Sequence, residues 1–216
     1  MNYGGSMASD PRAQIIVTTP PLQLHEASDA LLDRLAPLVH SGQAGADPPP
    51  YDDPMSLYES DPDLRVQRWR QAIRRGRVQV DSDSWRRYFV VVVEEEPVGM
   101  QDLIADQITT HGTVATFSWL AADFRGQRLG REMRHAILQL ALDGLGAREA
   151  TSSAFLDNGG SNAISRALGY EPDGIEWQTR CGEPARMQRW RLSCEVWQRV
   201  RRDDIQLDGV DAYAGG

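Results

Sequence analysis

The chain has 216 residues, of which 41% are hydrophobic and 25% charged, with a net charge of −8. This fits one globular domain large enough to build its core without metal or disulfide staples. No apolar run approaches the roughly 20 residues that cross a bilayer, so a membrane span is excluded, and the acidic balance argues against a dedicated nucleic-acid binder while suiting an amine-bearing substrate. All 23 basic residues are arginine; Cys181 and Cys194 with scattered histidines make no metal pattern, and the N-terminus carries no secretory signal. Reduced thiols, no metal and a cytoplasmic location are expected.

Residues 1–14 and 203–216 are polar, small or acidic and are expected as flexible tails around one domain, 15–202. Ile15–Leu24 predicts an edge strand despite Pro20 and Pro21. From Ala27 to Val39 the spacing of Leu31, Leu32, Leu35 and Leu38 predicts a helix, capped by Ser28 or Asp29. The stretch SGQAGADPPPYDDPMS is a loop long enough for function to be suspected. Pro62 to Arg77 predicts a basic amphipathic helix around Leu64, Val66, Trp69 and Ile73. Its arginines suit a solvated face, with nucleic-acid contact through 65–87 as the competing reading. Asp52, Asp53, Glu59, Asp61 and Asp63 flank the proline-rich loop as solvated charge.

Trp85–Val93, Val98–Ala105 and Thr113–Leu120 read as an antiparallel meander of strands. Then the pattern changes. Leu129 to Asp143 predicts a helix with Leu129, Met133, Ile137, Leu140 and Ala141 on one face, while Arg131, Arg134 and Gln139 lie away from it; Gly144 or Gly146 ends it. A strand over Ala147–Phe155, a short helix over Asn158–Leu168 and a final strand pair, Tyr170–Arg180 and Arg186–Val196, complete a mixed α/β sheet.

The segment Arg125-Gly126-Gln127-Arg128-Leu129-Gly130 stands where a strand has ended and a helix begins, so unpaired amides and the positive end of the helix dipole converge there. Between residues 123 and 134 four arginines face two carboxylates, a basic spot in an acidic chain. Such a turn holds a phosphate, or is a tight connection solvated by arginine.

Over residues 88 to 172, SWLAADFRGQRLGREM and FLDNGGSNAISRALGYE resemble the acyl-CoA binding core of the GNAT superfamily of N-acyltransferases, nearest to the branch of ribosomal-protein N-terminal acetyltransferases. The resemblance implies an α/β fold, a twisted and mostly antiparallel sheet with a splayed parallel pair. It implies acetyl-CoA or another short acyl-CoA as cosubstrate, an amine acceptor on a protein N-terminus or a small molecule, and pairing of two copies. Carried onto this chain, Arg125, Gly126, Gln127, Arg128, Leu129 and Gly130 form the pyrophosphate loop, and Trp119, Leu120 and Ala121 the splayed strand end. Asn158 and Ser161 are the Asn-x-x-Ser pair, Asn158 being also a plausible helix cap. The amide of Leu120 or Ala121 is the expected oxyanion donor.

Three positions depart from the family pattern. Arg128 replaces a glycine, Ser165 stands where many members carry a tyrosine as general acid, and the mid-strand carboxylate of some members falls near Val114. Protonation of the thiolate is then assigned to Ser161, Ser165 or water, and the base to Asp102, with His111, Glu149 and Asp106 behind it. Trp119 near the thioester restricts the acyl pocket, or nearby arginines admit a carboxylated acyl group such as succinyl. A non-catalytic acyl-CoA-binding module of the same fold is the alternative reading.

Overall fold

The computed structural model describes residues 14–53, 55–78 and 83–210. Its strands form one nine-stranded sheet. In chain order these are β1 (Ile16–Thr18), β2 (Gln23–Glu26), β3 (Trp85–Val93), β4 (Glu96–Ala105), β5 (Thr113–Leu120), β6 (Glu149–Phe155), β7 (Glu171–Arg180), β8 (Glu183–Ser193) and β9 (Gln206–Asp208). They lie in the order β7-β8-β6-β5-β4-β3-β2-β1-β9, antiparallel throughout except for the β5–β6 pair. The mixed α/β fold expected from the resemblance is the one observed.

Alternation along the strands divides the core in two. On β3, Phe89 and Val91 join a cluster with Leu129, Met133 and Ile137 of helix α4 (Leu129–Leu138) and Trp197 of α6 (Cys194–Val200). Tyr88, Val90 and Val92 face the other way, onto Leu35 and Val39 of α1 (Asp29–His40) and Trp69 and Ile73 of α2 (Pro62–Val78). The remaining helices are the single turn α3 (Ile108–His111) and α5 (Gly159–Ala167).

Several expectations are revised. The strand expected over 15–24 is the β1–β2 hairpin, because Pro20 and Pro21 have no N–H for a ladder and sit in its turn. The second tail, placed at 203–216, carries β9, which pairs with β1 in register Val17 to Leu207 and buries Ile205. Residues 1–13 and 211–216 lie outside the described residues. The last strand ends at Ser193, whose hydroxyl accepts from the Val196 amide and starts α6. α4 passes into a π-helical stretch over Gln139–Gly144.

The arginines of α2 and β3 mostly find partners within the protein. Arg70 pairs with Asp33, Arg77 with Asp29, and Arg68 with Glu59; on β3, Arg87 pairs with Glu26. Arg65 donates to the carbonyls of Glu59, Val39 and His40, closing the end of α1 onto the start of α2. The acidic residues before α2 are used locally: Asp61 caps α2 through the Leu64 amide, and Asp53 accepts from the amides of Leu57 and Tyr58.

Candidate active site

β5 and β6 pair only through Thr113–Glu149, Val114–Ala150 and Ala115–Thr151, and diverge beyond. The Ala121 amide donates to the Val98 carbonyl at 2.9 Å, which fixes the alternation of the β4–β5 ladder. Ala121, Trp119 and Phe117 therefore turn their backbone groups to β4, and Leu120 and Ser118 turn theirs into the open fork. Gly99 on β4 permits this: a Cβ there would fall on the Trp119 carbonyl oxygen and within 3.0 Å of the Leu120 Cα.

At the mouth of the fork, α4 begins without a side-chain cap. The contrast is with α1, α2, α5 and α6, capped by Ser28, Asp61, Asn158 and Ser193. The uncapped amides open into a cavity of about 610 Å3 that follows the fork and is lined by Arg125, Arg128, Arg131 and Arg134. None of the described residues lining it has a carboxylate or an imidazole, so the cavity is electropositive within an acidic protein. Arg128, left-handed at φ 66, takes up the sharp turn that a glycine usually makes, and its side chain is exposed at the cavity.

The remaining wall is the proline-rich loop. Ala44, Ala46, Pro50 and Tyr51 line the cavity, with Tyr51 edge-on to Phe117 at 4.9 Å between ring centroids. Met55 and Leu57 anchor the loop in the core. Burial pushes the Tyr51 phenol up, so it stays a neutral hydroxyl.

Of the residues singled out in the sequence, Trp119, Leu120, Arg125, Gly126, Arg128, Gly130, Asn158 and Ser161 all line this cavity. Ala121, Gln127, Leu129, Asp102 and Ser165 do not. Ala121 is buried with its amide spent on Val98, so of the two amides expected as oxyanion donor only that of Leu120 faces the fork. The Gln127 side chain folds back onto the Asp123 carbonyl, and Leu129 packs into the core, leaving only their backbone at the turn. Ser165 is sealed in the core, since α5 turns it away from the cavity that Ser161 faces.

Arg125, expected as a phosphate contact, lines the cavity with its guanidinium bonded to main-chain carbonyls. Its guanidinium donates to the carbonyls of Leu120, Gln43 and Gly45, each at 2.9 Å, and so clamps the proline-rich loop to the end of β5. Asn158 is a cap, its Oδ1 accepting from the Ser161 amide at 3.1 Å, and it also borders the cavity.

Asp102 is 0% exposed on the α1/α2 face, where Arg86 donates to its Oδ2 through Nε at 3.0 Å and Nη2 at 2.6 Å. Burial pushes its carboxyl up to about 6, against the opposing pull of Arg86. A base must reach the proton it removes, and this carboxylate is closed off beneath Arg86. The assignment as base is corrected to one half of a buried ion pair. His111 ends α3, and Glu149 accepts from Thr113 and pairs with Arg191; neither lines the cavity.

Arg134, expected on the outer face of its helix, is instead 5% exposed and points into the fork, donating to Ser152 Oγ at 2.9 Å. Periodicity missed it because a helix that covers a diverging strand pair has an inward face wider than its apolar stripe. For Tyr51 and Pro50 the only sequence signal was the length of their loop.

The family model described as an acetyltransferase (GNAT) domain matches residues 48–171. Among solved structures, the fold is similar to that of RimL, a ribosomal L7/L12 alpha-N-protein acetyltransferase, in its apo form. That match has 19% identity and a TM-score of 0.65 over 89% of this chain and 98% of that one. It is similar also to the microcin C7 self-immunity acetyltransferase MccE in complex with acetyl-CoA and AMP, with 14% identity and a TM-score of 0.64 over 81% and 93%. The spermidine/spermine N-acetyltransferase SpeG of Vibrio cholerae matches at 14% identity and a TM-score of 0.60 over 83% and 97%.

Proposed function

The chain belongs to the GNAT acetyltransferase family, and from that premise we propose that it transfers a short acyl group from acyl-CoA to a primary amine. The observation that carries this reading is the uncapped start of α4, opening with four arginines and no carboxylate into the fork between β5 and β6. Amides at a helix start satisfy a pyrophosphate, and Arg128 and Arg131 neutralise the charge that remains. The backbone groups of Ser118 and Leu120 suit the amides of a pantetheine arm laid into the fork as an added strand.

Acyl-CoA supplies an activated thioester; the chain's residues hold and orient it. The Leu120 amide, which points into the fork, polarises the carbonyl oxygen. As the amine nitrogen bonds to the carbonyl carbon and the carbon–sulfur bond breaks, the departing sulfur takes a proton from water, directly or through the Ser161 hydroxyl, which regains one from water in turn. The ammonium proton passes to water, since the described residues of the cavity wall offer no carboxylate or imidazole. Much of the rate then comes from alignment of the two reactants. The acceptor, a protein N-terminus or a small molecule, enters beside Tyr51, Phe117 and Pro50.

Calorimetric titration with free CoA and acetyl-CoA tests the reading. Micromolar binding that weakens with salt is expected, and absence of binding would overturn it. The absence of a titratable base in the cavity also favours a second reading, a module that binds acyl-CoA without turnover. Binding without thiol release across a panel of peptides and small amines would select that one.

A further inference from the structure

Among the described residues, Arg134 is a buried cation without a counter-charge. Its Nη1 donates to Ser152 Oγ at 2.9 Å, its Nε has no partner among the described residues, and none of those lining the cavity it enters carries a carboxylate. Other arginines that lie largely inside the fold have a carboxylate: Arg86 has Asp102, Arg180 has Asp157, and Arg202 has both Glu132 and Asp204. A buried lysine or histidine can shed its proton to escape the cost of burial; a guanidinium cannot. An unpaired guanidinium at 5% exposure therefore leaves a standing demand for an anion, and the open side of Arg134 is the cavity.

Its position identifies the anion. Arg134 lies five residues into α4, about 7.5 Å along the axis from the helix start, and is bonded to the first β6 residue beyond the last parallel pair. A pyrophosphate at the helix start is served by amides, Arg128 and Arg131, whereas Arg134 stands at the floor of the fork. An arm that enters at the turn and pairs along Leu120 and Ser118 brings its reactive end toward that floor. We infer that Arg134 reads the acyl group and selects acyl-CoA thioesters of short dicarboxylic acids, the succinyl class, whose terminal carboxylate it pairs with. Ser152 lines the cavity beside Arg134, and the buried phenol of Tyr170 interacts with the guanidinium from behind it, so no negative charge reaches Arg134 from either. The inference rests on the acyl-CoA reading above.

The test is calorimetric titration of the wild-type protein with CoA, acetyl-CoA, butyryl-CoA and succinyl-CoA. Butyryl and succinyl have the same four-carbon length and differ in the terminal carboxylate. A hydrogen-bonded charge pair in a buried site is expected to favour succinyl-CoA over butyryl-CoA by about tenfold or more. In Arg134→Leu that ratio is expected to fall to about one. Equal or weaker binding of succinyl-CoA by the wild type overturns the inference, while binding of free CoA in the same experiment leaves the acyl-CoA reading standing. Absence of binding by all four ligands overturns both. A variant that weakens all four ligands equally assigns Arg134 to a phosphate and overturns the inference. If the variant does not fold, the wild-type ratio alone decides.

Discussion

Two arginines, Arg86 half-buried and Arg134 buried, sit on opposite faces of the same sheet and were given opposite surroundings. On the α1/α2 face, Arg86 of β3 reaches across to Asp102 of β4, and the fold supplies its counter-charge. In the β5–β6 fork, Arg134 meets a hydroxyl, a phenol and open space. The paired arginine serves the structure, and the unpaired one is provided for a ligand. A ladder of well-registered strands holds two charges together, whereas a place where strands part has no neighbour to contribute one.

The comparison is broken most severely at Gly99, which lets β4 approach β5 closely between the two regions. Gly99→Ala puts a Cβ against the Trp119 carbonyl oxygen and should cost about 3 kcal/mol or more, a fall of roughly 10 °C in Tm by calorimetry. Of similar size is the pH dependence of Asp102. Its carboxyl is raised to about 6 in the folded protein, from near 4 unfolded, so the native state binds the extra proton between those values. Stability from this group is therefore present below pH 4 and lost as pH rises to 6, by about 3 kcal/mol. Urea titrations at pH 4, 5, 6 and 7 should show that decline in the wild type and a flatter profile in Asp102→Asn.

The unpaired partner in the comparison predicts the opposite sign. In the ligand-free protein, Arg134→Leu removes an uncompensated buried charge and should raise stability by roughly 1–3 kcal/mol, read by the same urea titration. Arg125→Ala removes three hydrogen bonds to main-chain carbonyls and should cost about 2 kcal/mol. Hydrogen exchange should locate that loss in residues 43–46 and the end of β5. The smallest effect falls at Arg128, whose left-handed backbone costs an arginine about 1 kcal/mol relative to glycine. Arg128→Gly should return that in stability while weakening CoA binding several-fold and lowering its dependence on salt.

How much of this was legible depended on whether a feature is local. The Arg125–Gly130 turn, the Asn158 cap and the order of the main strands and helices from α1 to β8 were readable because each is specified by adjacent residues and by one periodicity. The use of Arg125 was not, since the carbonyls of Gln43 and Gly45 lie some 80 residues away in sequence. The same distance hid the role of Asp102: as a polar residue in a strand it suited a base, and only the pairing of β3 with β4 set Arg86 on top of it. Ser165 and Ser161 share a helix four residues apart, yet one is buried and the other faces the cavity, a difference set by how α5 packs.

By itself the sequence determined the elements, the basic strand-to-helix turn and the family resemblance, because hydrophobic period, glycine placement and local charge are written in neighbouring residues. Tertiary structure alone decided that the proline-rich loop walls the cavity, that the acidic terminal segment adds a ninth strand, and which arginines find a carboxylate. Those outcomes depend on contacts between remote segments, and a charge has no fixed meaning until its neighbours in space are known.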